Sequence, residues 1–155
     1  MKKISWCKKQ VRGMKLIDSN DNLSKEYYQN AEESLRVLRN IKETKSNMWL
    51  ATTKYYIEYF AVYSILMKIG IKCEIHDCTI SVVKFLESEG IIEKGISKVL
   101  DKDKDIRIDN QYYLKNKSVE INFNKISAFL ISIKKSLIKL DSNIIKEIRE
   151  KLNRI

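Results

Sequence analysis

The only histidine of the chain, His76, is the side chain whose type best suits proton transfer or contact with RNA. An imidazole changes charge near neutral pH, so it can act as a general base. The neighbouring carboxylates of Glu74 and Asp77 are expected to raise its pKa. A lone histidine is also common as a packing or capping group at the start of a helix, and that interpretation stays open. Lys72, just before this segment, is assigned to the same predicted binding surface.

A second candidate group lies within about two helical turns, between Arg107 and Tyr113. Arg107 can hold a phosphate through its planar guanidinium, and Tyr112 or Tyr113 can stack on a nucleobase. The competing interpretation is structural: Arg107 pairs with Asp109, and the two tyrosines belong to the core. The sequence therefore predicts a nucleotide- or RNA-binding surface, with His76 and Arg107 as the candidates for any catalysis. The predicted surface contains Lys72, His76, Arg107, Tyr112 and Tyr113.

The cysteines are the remaining candidates for chemistry. Cys7, Cys73 and Cys78 are an odd number, and no secretory signal is visible, so free thiols in a cytoplasmic protein are predicted. A zinc site formed by the three cysteines and His76 is disfavoured, because positions 76 and 78 of a helix point to different faces. No metal and no cofactor are therefore predicted.

Missing motifs exclude several function classes. The sequence contains no phosphate-binding glycine loop, nucleophile elbow, EF-hand loop or HExxH motif. Phosphoryl-transfer and hydrolase families that depend on these motifs are therefore disfavoured. The most apolar run, residues 55–71, contains Glu58 and Lys68 and is preceded by Lys54, so no membrane-spanning helix is predicted.

The net charge of +10 is concentrated in the two ends of the chain. Residues 1–17 carry six basic and no acidic residues, and residues 115–155 carry ten basic and four acidic ones. Such basic ends suggest a polyanionic partner such as RNA, or an acidic protein. The competing explanation, solubility together with compositional bias, stays open.

The stretch from Ser46 to Gly70 is expected to position the candidate residues as the central helix of a bundle. Ser46 or Asn47 can cap its start, and Gly70 can end it in the left-handed conformation. Only Lys54, Glu58 and Lys68 are expected to face water, and a helix that is apolar almost all round is typically buried on several sides. Its two apolar stripes are Trp49, Tyr56, Phe60, Tyr63 and Met67, and Tyr55, Tyr59, Val62, Leu66 and Ile69.

Apolar residues at spacings of three and four predict further helices before and after this one. In chain order the predicted helices start within 18–22, at 46–47, near 75, near 92, after 118 and after 141–143. The connection between the first two is short, so they should be antiparallel neighbours.

Two stretches are less regular. The charged run 101–105 is interpreted as a solvated helix end or loop. Residues 1–17 form either a short helix with a strand-like tail at Met14–Ile17, packed on the bundle, or a basic arm. The sequence thus predicts an all-α, up-and-down bundle of four to five main helices plus a C-terminal helix in residues 20–155, preceded by a basic segment, 1–19.

The central helix and its turn resemble one branch of the HEPN domain family. That branch has a helix with Trp, Ala, a Tyr-Tyr pair and Phe, then a glycine turn and a short polar segment that ends in His. The matching residues here are Trp49, Ala51, Tyr55, Tyr56, Phe60, Gly70, Ile71 and His76. Residues 23–35 resemble the family's first helix, and residues 107–113 resemble its arginine-containing segment. The resemblance covers about residues 20–140.

The resemblance implies a HEPN-type bundle that is often a homodimer and is often partnered by a minimal nucleotidyltransferase, commonly as toxin and antitoxin. Many HEPN proteins are metal-independent ribonucleases, whose signature is an Arg, a polar residue and then a His four to six positions after the Arg. Here no Arg stands in that window before His76, and no His follows Arg107.

The resulting prediction is an atypical, non-catalytic HEPN-like domain that binds a minimal nucleotidyltransferase, RNA or a nucleotide. One alternative is a ribonuclease toxin in which His76 is the base and Arg107 stabilises the phosphorane. The other alternative is a structural homodimeric module.

Overall fold

The computed structural model describes residues 2–155, which form seven α-helices and one small antiparallel sheet. The elements are α1 Ile4–Lys9, β1 Met14–Leu16, α2 Asp21–Ile41, α3 Asn47–Ile69, β2 Ile71–Cys73, α4 His76–Ser88, α5 Ile96–Gln111, α6 Phe123–Lys139 and α7 Ser142–Arg154. One turn of 3-10 helix, Lys42–Thr44, joins α2 to α3. The predicted all-α helical bundle is confirmed.

Helix α3 lies at the centre of the bundle, as the sequence predicts. It packs along α2 and also contacts α5, α6 and α7. The Ser46 side chain accepts a hydrogen bond from the Trp49 N–H at its start, and Gly70 ends it with a left-handed φ of 85°. Trp49 differs from the prediction: it lies in the first turn, is 58% exposed, and is not part of a buried stripe.

The prediction that Glu58 faces water is wrong. Glu58 is 2% exposed because α5 packs against this side of α3. Asp103 of α5 is also buried, and its Oδ2 lies 2.9 Å from the Lys54 ammonium. The α3–α5 contact therefore encloses charged groups inside an otherwise apolar bundle.

The charged run 101–105 is not a helix end or loop. It lies in the middle of α5, where successive side chains face different sides of the helix. Asp103 points into the bundle. The Lys104 ammonium lies 2.7 Å from Asp77 Oδ1 at the start of α4 and 2.9 Å from Asp101 Oδ1. Packing of α5 against two helices therefore gives these charges partners that the local sequence does not reveal.

Side chains at the predicted boundaries cap three other helices. Asn20, Asn122 and Asp141 each accept a hydrogen bond from the backbone N–H three residues later, at the starts of α2, α6 and α7. The starts predicted within 18–22 and at 141–143 are confirmed. Capping side chains close in sequence therefore determine where these helices begin.

The N-terminal segment packs on the bundle as a short helix and a strand. β1 pairs with β2 in antiparallel register, with Met14 opposite Cys73; β2 is not predicted from the sequence. The Lys8 ammonium donates to the Leu152 carbonyl at 3.0 Å, which joins α1 to the end of α7. Met1 lies outside the described residues, so the predicted segment 1–19 is described from Lys2 onward.

The prediction of free thiols is wrong for two of the three cysteines. Cys7 of α1 and Cys78 of α4 form a disulfide, and both are fully buried. Cys73 keeps a free, buried thiol. The pairing joins positions 71 residues apart, and only the fold of the N-terminal segment onto α4 brings them together.

Within residues 2–155, no helix combines the length and apolar character that crossing a membrane requires.

Candidate functional site

His76 begins α4 immediately after the sheet and faces the aromatic side of α3. Its Nδ1 lies 2.6 Å from the Tyr55 hydroxyl oxygen. The Tyr59 ring stacks on the imidazole, with centroids 4.7 Å apart and planes inclined by 26°. Burial raises the pKa of Tyr55 far above its usual value, so its hydroxyl stays protonated and can either donate to Nδ1 or accept from it. The tautomer of His76 sets which of these two groups is the donor.

The predicted increase in the pKa of His76 is wrong in direction. Burial lowers this pKa from its ordinary 6.5, and the positive charges of Arg107 and Lys104 lower it further. Asp77 acts in the opposite sense but is outweighed, since its carboxylate is hydrogen-bonded to Lys104. Glu74 pairs with Lys72 at 3.1 Å. His76 is therefore neutral at pH 7.

Arg107 lies one helical turn before the end of α5 and is 6% exposed. Its guanidinium carbon is 4.7 Å from the centroid of the Tyr55 ring, and its Nη1 donates to the Tyr56 hydroxyl at 3.2 Å. These are cation–π and hydrogen-bonding contacts. Its Nε is buried and has no hydrogen-bond partner among residues 2–155.

Tyr55 brings the two predicted residues into one site. Its hydroxyl contacts His76, while its ring contacts the Arg107 guanidinium. The site is therefore built by three helices: α3 supplies the tyrosine, α4 the histidine and α5 the arginine. The sequence identifies His76 and Arg107 by residue type, but it places Tyr55, whose hydroxyl lies beside His76, only in an apolar stripe of the central helix.

The structural interpretation of the 107–113 segment does not hold. Asp109 is paired with Lys115 at 3.1 Å and with Lys117 at 2.5 Å, both in the loop that follows α5. Tyr112 and Tyr113 are 63% and 67% exposed, so they are not core residues. The segment therefore places two aromatic rings in solvent.

We call Trp49, Tyr112 and Tyr113 the aromatic surface. Tyr112 contacts the Arg107 guanidinium, whose carbon lies 6.0 Å from its ring centroid. Trp49 lies two turns before Tyr56 on the same side of α3, and Tyr56 is hydrogen-bonded to Arg107. Of these three exposed rings, Tyr112 therefore contacts Arg107 directly, and Trp49 lies on the face of α3 that carries Tyr56. Trp49 was missed as a surface residue because its spacing matches the buried stripe.

The loop after α5 is held against the start of α3. The Asn47 side-chain amide donates to Asn116 Oδ1 at 2.9 Å. Asn110 also bonds the loop backbone at Lys117 in both directions, as donor and as acceptor. These contacts fix the loop that follows Tyr112 and Tyr113, so the two rings project from an ordered support.

Lys72 lies on the exposed side of the sheet, opposite Lys15 of β1. Its ammonium is engaged by Glu74 rather than by the groups around Tyr55. The structure therefore joins His76, Arg107 and Tyr112 in one site and places Lys72 on the neighbouring sheet.

The predicted surface includes no assembled metal site in the described part of the chain. No group of three or more His, Cys, Asp or Glu side chains there converges as metal ligands would. Cys7 and Cys78 are bonded to each other, so neither offers a thiolate to the zinc ligand set that the sequence analysis disfavours.

Comparison with protein-family models gives no match for this chain, and no curated protein matches it. The HEPN resemblance therefore rests on the residues named in the sequence analysis.

Proposed function

We propose that this chain is a HEPN-like domain without ribonuclease activity that binds single-stranded RNA through the aromatic surface and Arg107. The observation that carries the proposal is the exposed Tyr112 ring held against the buried Arg107 guanidinium. Exposed aromatic rings on an ordered, positively charged support are the elements with which proteins stack unpaired bases.

The electrostatics support an anionic ligand. Arg107 is held by two tyrosine rings and the Tyr56 hydroxyl rather than by a carboxylate, so its positive charge is not cancelled within the site. The Lys115 ammonium lies 5.6 Å from the centroid of the Tyr113 ring, and it shares the Asp109 carboxylate with Lys117, so the two lysines exceed that carboxylate by one positive charge. A phosphate backbone that follows the rings would meet this positive charge, while the bases stack on the aromatic surface.

The state of His76 supports binding rather than cleavage. Its Nδ1 is engaged by Tyr55, and one face of its ring is covered by Tyr59. The arginine that precedes the histidine in the ribonuclease signature is absent from residues 70–72. The group nearest to that role is Arg107, on another helix.

Replacing Tyr112 and Tyr113 by Ala is expected to weaken the binding of single-stranded RNA roughly tenfold or more. Loss of one base–aromatic stack costs about 1–3 kcal/mol, and about 1.4 kcal/mol is a tenfold change in Kd. The measurement is fluorescence anisotropy of a labelled single-stranded oligonucleotide. Ile138→Ala, which changes an exposed apolar side chain of α6, is the matched control and should bind as the unchanged chain does.

Salt provides the second readout of the same proposal. Binding by the unchanged chain should fall steeply between about 50 and 200 mM salt, because phosphate contacts release counterions. An affinity for RNA that does not change with salt concentration, or that is unchanged when both tyrosines are replaced, would contradict the proposal and favour the structural homodimeric module.

One observation favours the ribonuclease as a second candidate: the lowered pKa of His76 makes it a neutral base at pH 7. His76→Ala should then abolish RNA cleavage while the circular dichroism spectrum stays helical. The rate of the unchanged chain should be maximal where the imidazole is neutral, and it should fall only as the pH drops below the ordinary 6.5 and through the lowered pKa of His76. Cleavage that persists in the variant would eliminate this site.

A homodimer and a minimal nucleotidyltransferase partner are part of the proposal because the HEPN resemblance implies them. A neighbouring gene for a short nucleotidyltransferase, and co-purification of its product with this chain, would support the partnership. The cytoplasmic location stays a prediction.

A further inference from the structure

Helices α2 and α6 border a groove on one side of the bundle. Both helices pack on α3, but they approach each other closely at few positions, so a channel is left between them. Two cavities of about 510 and 330 Å³ follow this channel. Tyr28 and Glu32 line both cavities, so the two are consecutive parts of one surface feature, which we call the α2–α6 groove. None of the residues of the aromatic surface lines it.

The two helices run antiparallel along the groove. The Arg39 guanidinium carbon, near the end of α2, lies 4.6 Å from the centroid of the Phe123 ring at the start of α6. Further along, the Tyr28 hydroxyl donates to the Leu130 carbonyl at 2.9 Å. The lining positions of both helices recur at spacings of three and four, so each helix presents one continuous face. On α6 this face spans positions 127–138, which is about 17 Å or three turns.

Apolar side chains follow the α6 side of the groove. Ile131 and Ile138 are 55% and 75% exposed, and they are two helical turns apart on the same side of α6. Leu137 lines the same cavity as Ile138, and Leu35 of α2 lines the same cavity as Ile131; both leucines are half-buried. A single exposed isoleucine is ordinary on a protein surface, but apolar side chains aligned along a groove are typical of a binding surface.

The charged residues of the groove are mostly basic. Its lining contains two acidic side chains, Asp21 and Glu32, and five cationic ones, Lys25, Arg36, Arg39, Lys68 and Lys134. None of these five cations forms an ion pair with another of residues 2–155. An excess of unpaired positive charge along the groove favours a partner with negative charge.

A polynucleotide would satisfy the charge of this groove but not its apolar side chains. A phosphate backbone offers no apolar group that could bury Ile131 and Ile138. Among the described residues that line the groove, only Tyr28 has an aromatic ring on which a base could stack. Its hydroxyl is engaged by Leu130, and the Lys134 ammonium lies 4.8 Å from the centroid of its ring. The groove therefore lacks the exposed rings that the proposed RNA-binding surface has.

A second copy of this chain would satisfy the apolar side chains but not the charge. Two copies of the groove that face each other would bring the same excess of cations together, and like charges across an interface disfavour association. A helix with apolar residues on one side and acidic residues beside them satisfies both requirements. Such a helix lays its apolar side chains, three, four and seven positions apart, into a hydrophobic groove.

We propose that the α2–α6 groove binds an acidic amphipathic helix of another protein. About three turns of this helix lie between α2 and α6. Its apolar side chains contact Ile131 and Ile138, and its acidic side chains lie near Lys25 and Arg36. This goes beyond the RNA-binding proposal and does not depend on it, because the two surfaces share no residue.

The test uses a synthetic helical peptide of about 18 residues as the probe, which is long enough to span the groove. The peptide carries leucines three and four positions apart on one side, glutamates on the flanking positions and a fluorescent label. Fluorescence anisotropy with the full chain should give a Kd tighter than about 100 μM.

Two control peptides separate the apolar contact from the charge. One has the same composition, but its leucines are distributed around the helix. The other has lysine in place of every glutamate. Each should bind roughly tenfold more weakly than the probe, or not at all. No binding of the probe, or equal binding of the peptide with distributed leucines, would overturn the proposal.

Replacing Ile131 and Ile138 together by Ala tests the apolar contact from the side of the chain. Both side chains are exposed, so the melting temperature should stay the same, while the affinity for the probe should fall roughly tenfold. Val37→Ala changes an exposed apolar residue of α2 that does not line the groove, and it should bind as the unchanged chain does. If the double variant instead converts a dimer to a monomer in sedimentation, a second copy occupies the groove and the proposal is wrong.

Arg36→Glu tests the charge. It should weaken binding of the probe roughly tenfold, and the lysine peptide should bind this variant more tightly than it binds the unchanged chain. Lys135→Glu makes the same change in net charge at an exposed position of α6 that lines a different cavity, so it is the matched control. Equal losses for the two variants would show general attraction to a basic protein and would contradict the proposal.

A single-stranded oligonucleotide distinguishes this groove from the proposed RNA-binding surface. It should not displace the bound probe, and Tyr112→Ala should bind the probe as tightly as the unchanged chain does. Displacement of the probe from the Tyr112→Ala variant would place RNA in the groove and contradict the assignment to a protein helix.

Discussion

Reduction of the Cys7–Cys78 disulfide is expected to lower the melting temperature by roughly 10 °C. The bond closes a loop between positions 71 residues apart, and in the chain-entropy account a crosslink of this span restricts the unfolded chain by about 4 kcal/mol. It also fixes α1, a helix of only six residues, which has few other means of staying folded. The expected loss is therefore large for a single bond.

The measurement is thermal unfolding with and without a reductant. Cys7→Ala provides the matched control, because its melting temperature should be low and should not respond to the reductant. Thiol titration of the unfolded, unreduced chain should find one free thiol, that of Cys73, and reduction should raise the number to three. Three thiols before reduction would contradict the pairing.

The disulfide also bears on the proposed site. Cys78 lies in the first turn of α4, two residues after His76, and Ser81 of the next turn donates to the Lys2 carbonyl at 2.5 Å. The N-terminal segment thus holds the start of α4, where His76 meets Tyr55. Reduction should loosen this contact before it affects α2 and α3, which pack on each other elsewhere.

The fold could be predicted because its main determinants are local. The side chains of Asn20, Ser46 and Asp141 cap helices, and Gly70 ends α3. Each of these boundaries is therefore determined by residues within a few positions of it. Periodic apolar residues then supply the faces that must pack together. Neither signal depends on knowing the tertiary structure.

Two of the predictions that were wrong, for Glu58 and for the cysteines, depend on contacts between distant residues. Glu58 is a charged residue, of the type expected on the exposed side of a helix. It is buried beside Asp103 only because α5 packs against it. Cys7 and Cys78 meet only because α1 folds back onto α4. Neither the periodicity nor the spacing of residues in the sequence indicates such contacts. Packing against one neighbouring helix is enough to bury a residue that is expected to be exposed.

The candidate site, too, could be predicted only in part. His76 and Arg107 could be chosen by residue type, because few side chains can act as a base or hold a phosphate. The direction of the pKa shift of His76 could not be predicted. Its sequence neighbours Glu74 and Asp77 are paired with lysines, and the positive charge of Arg107 on α5 lies close enough to lower the pKa. Electrostatics at a site therefore has to be read from three-dimensional neighbours.

Replacing Gly70 by Ala is expected to destabilise the protein by about 3 kcal/mol or more. Gly70 has a φ of 85°, which costs any other residue backbone energy. An added Cβ would also overlap the Arg149 guanidinium and the Ile17 carbonyl oxygen. Neither can retreat freely, because Arg149 Nη1 donates to the carbonyls of Ile17 at 2.7 Å and of Ile69 and Gly70 at 3.0 Å.

Gly90→Ala is the matched control for this prediction. Gly90 has a similar φ of 73°, but an added Cβ there would meet no atom within 4 Å. Urea denaturation should therefore show a loss of only about 1 kcal/mol for Gly90→Ala, which measures the backbone cost alone. The difference between the two variants isolates the contact with Arg149 and Ile17, and equal losses would contradict the importance of that contact.

The position of Gly70 gives this difference a functional consequence. Its carbonyl accepts from the Ile17 N–H at 2.9 Å, and β2 and His76 follow directly in the chain. A shift of the turn would displace β2 from β1 and move His76 relative to Tyr55, whose ring contacts the Arg107 guanidinium of the proposed RNA-binding surface. Gly70→Ala should therefore weaken RNA binding more than Gly90→Ala does, even at a temperature where both variants are folded by circular dichroism.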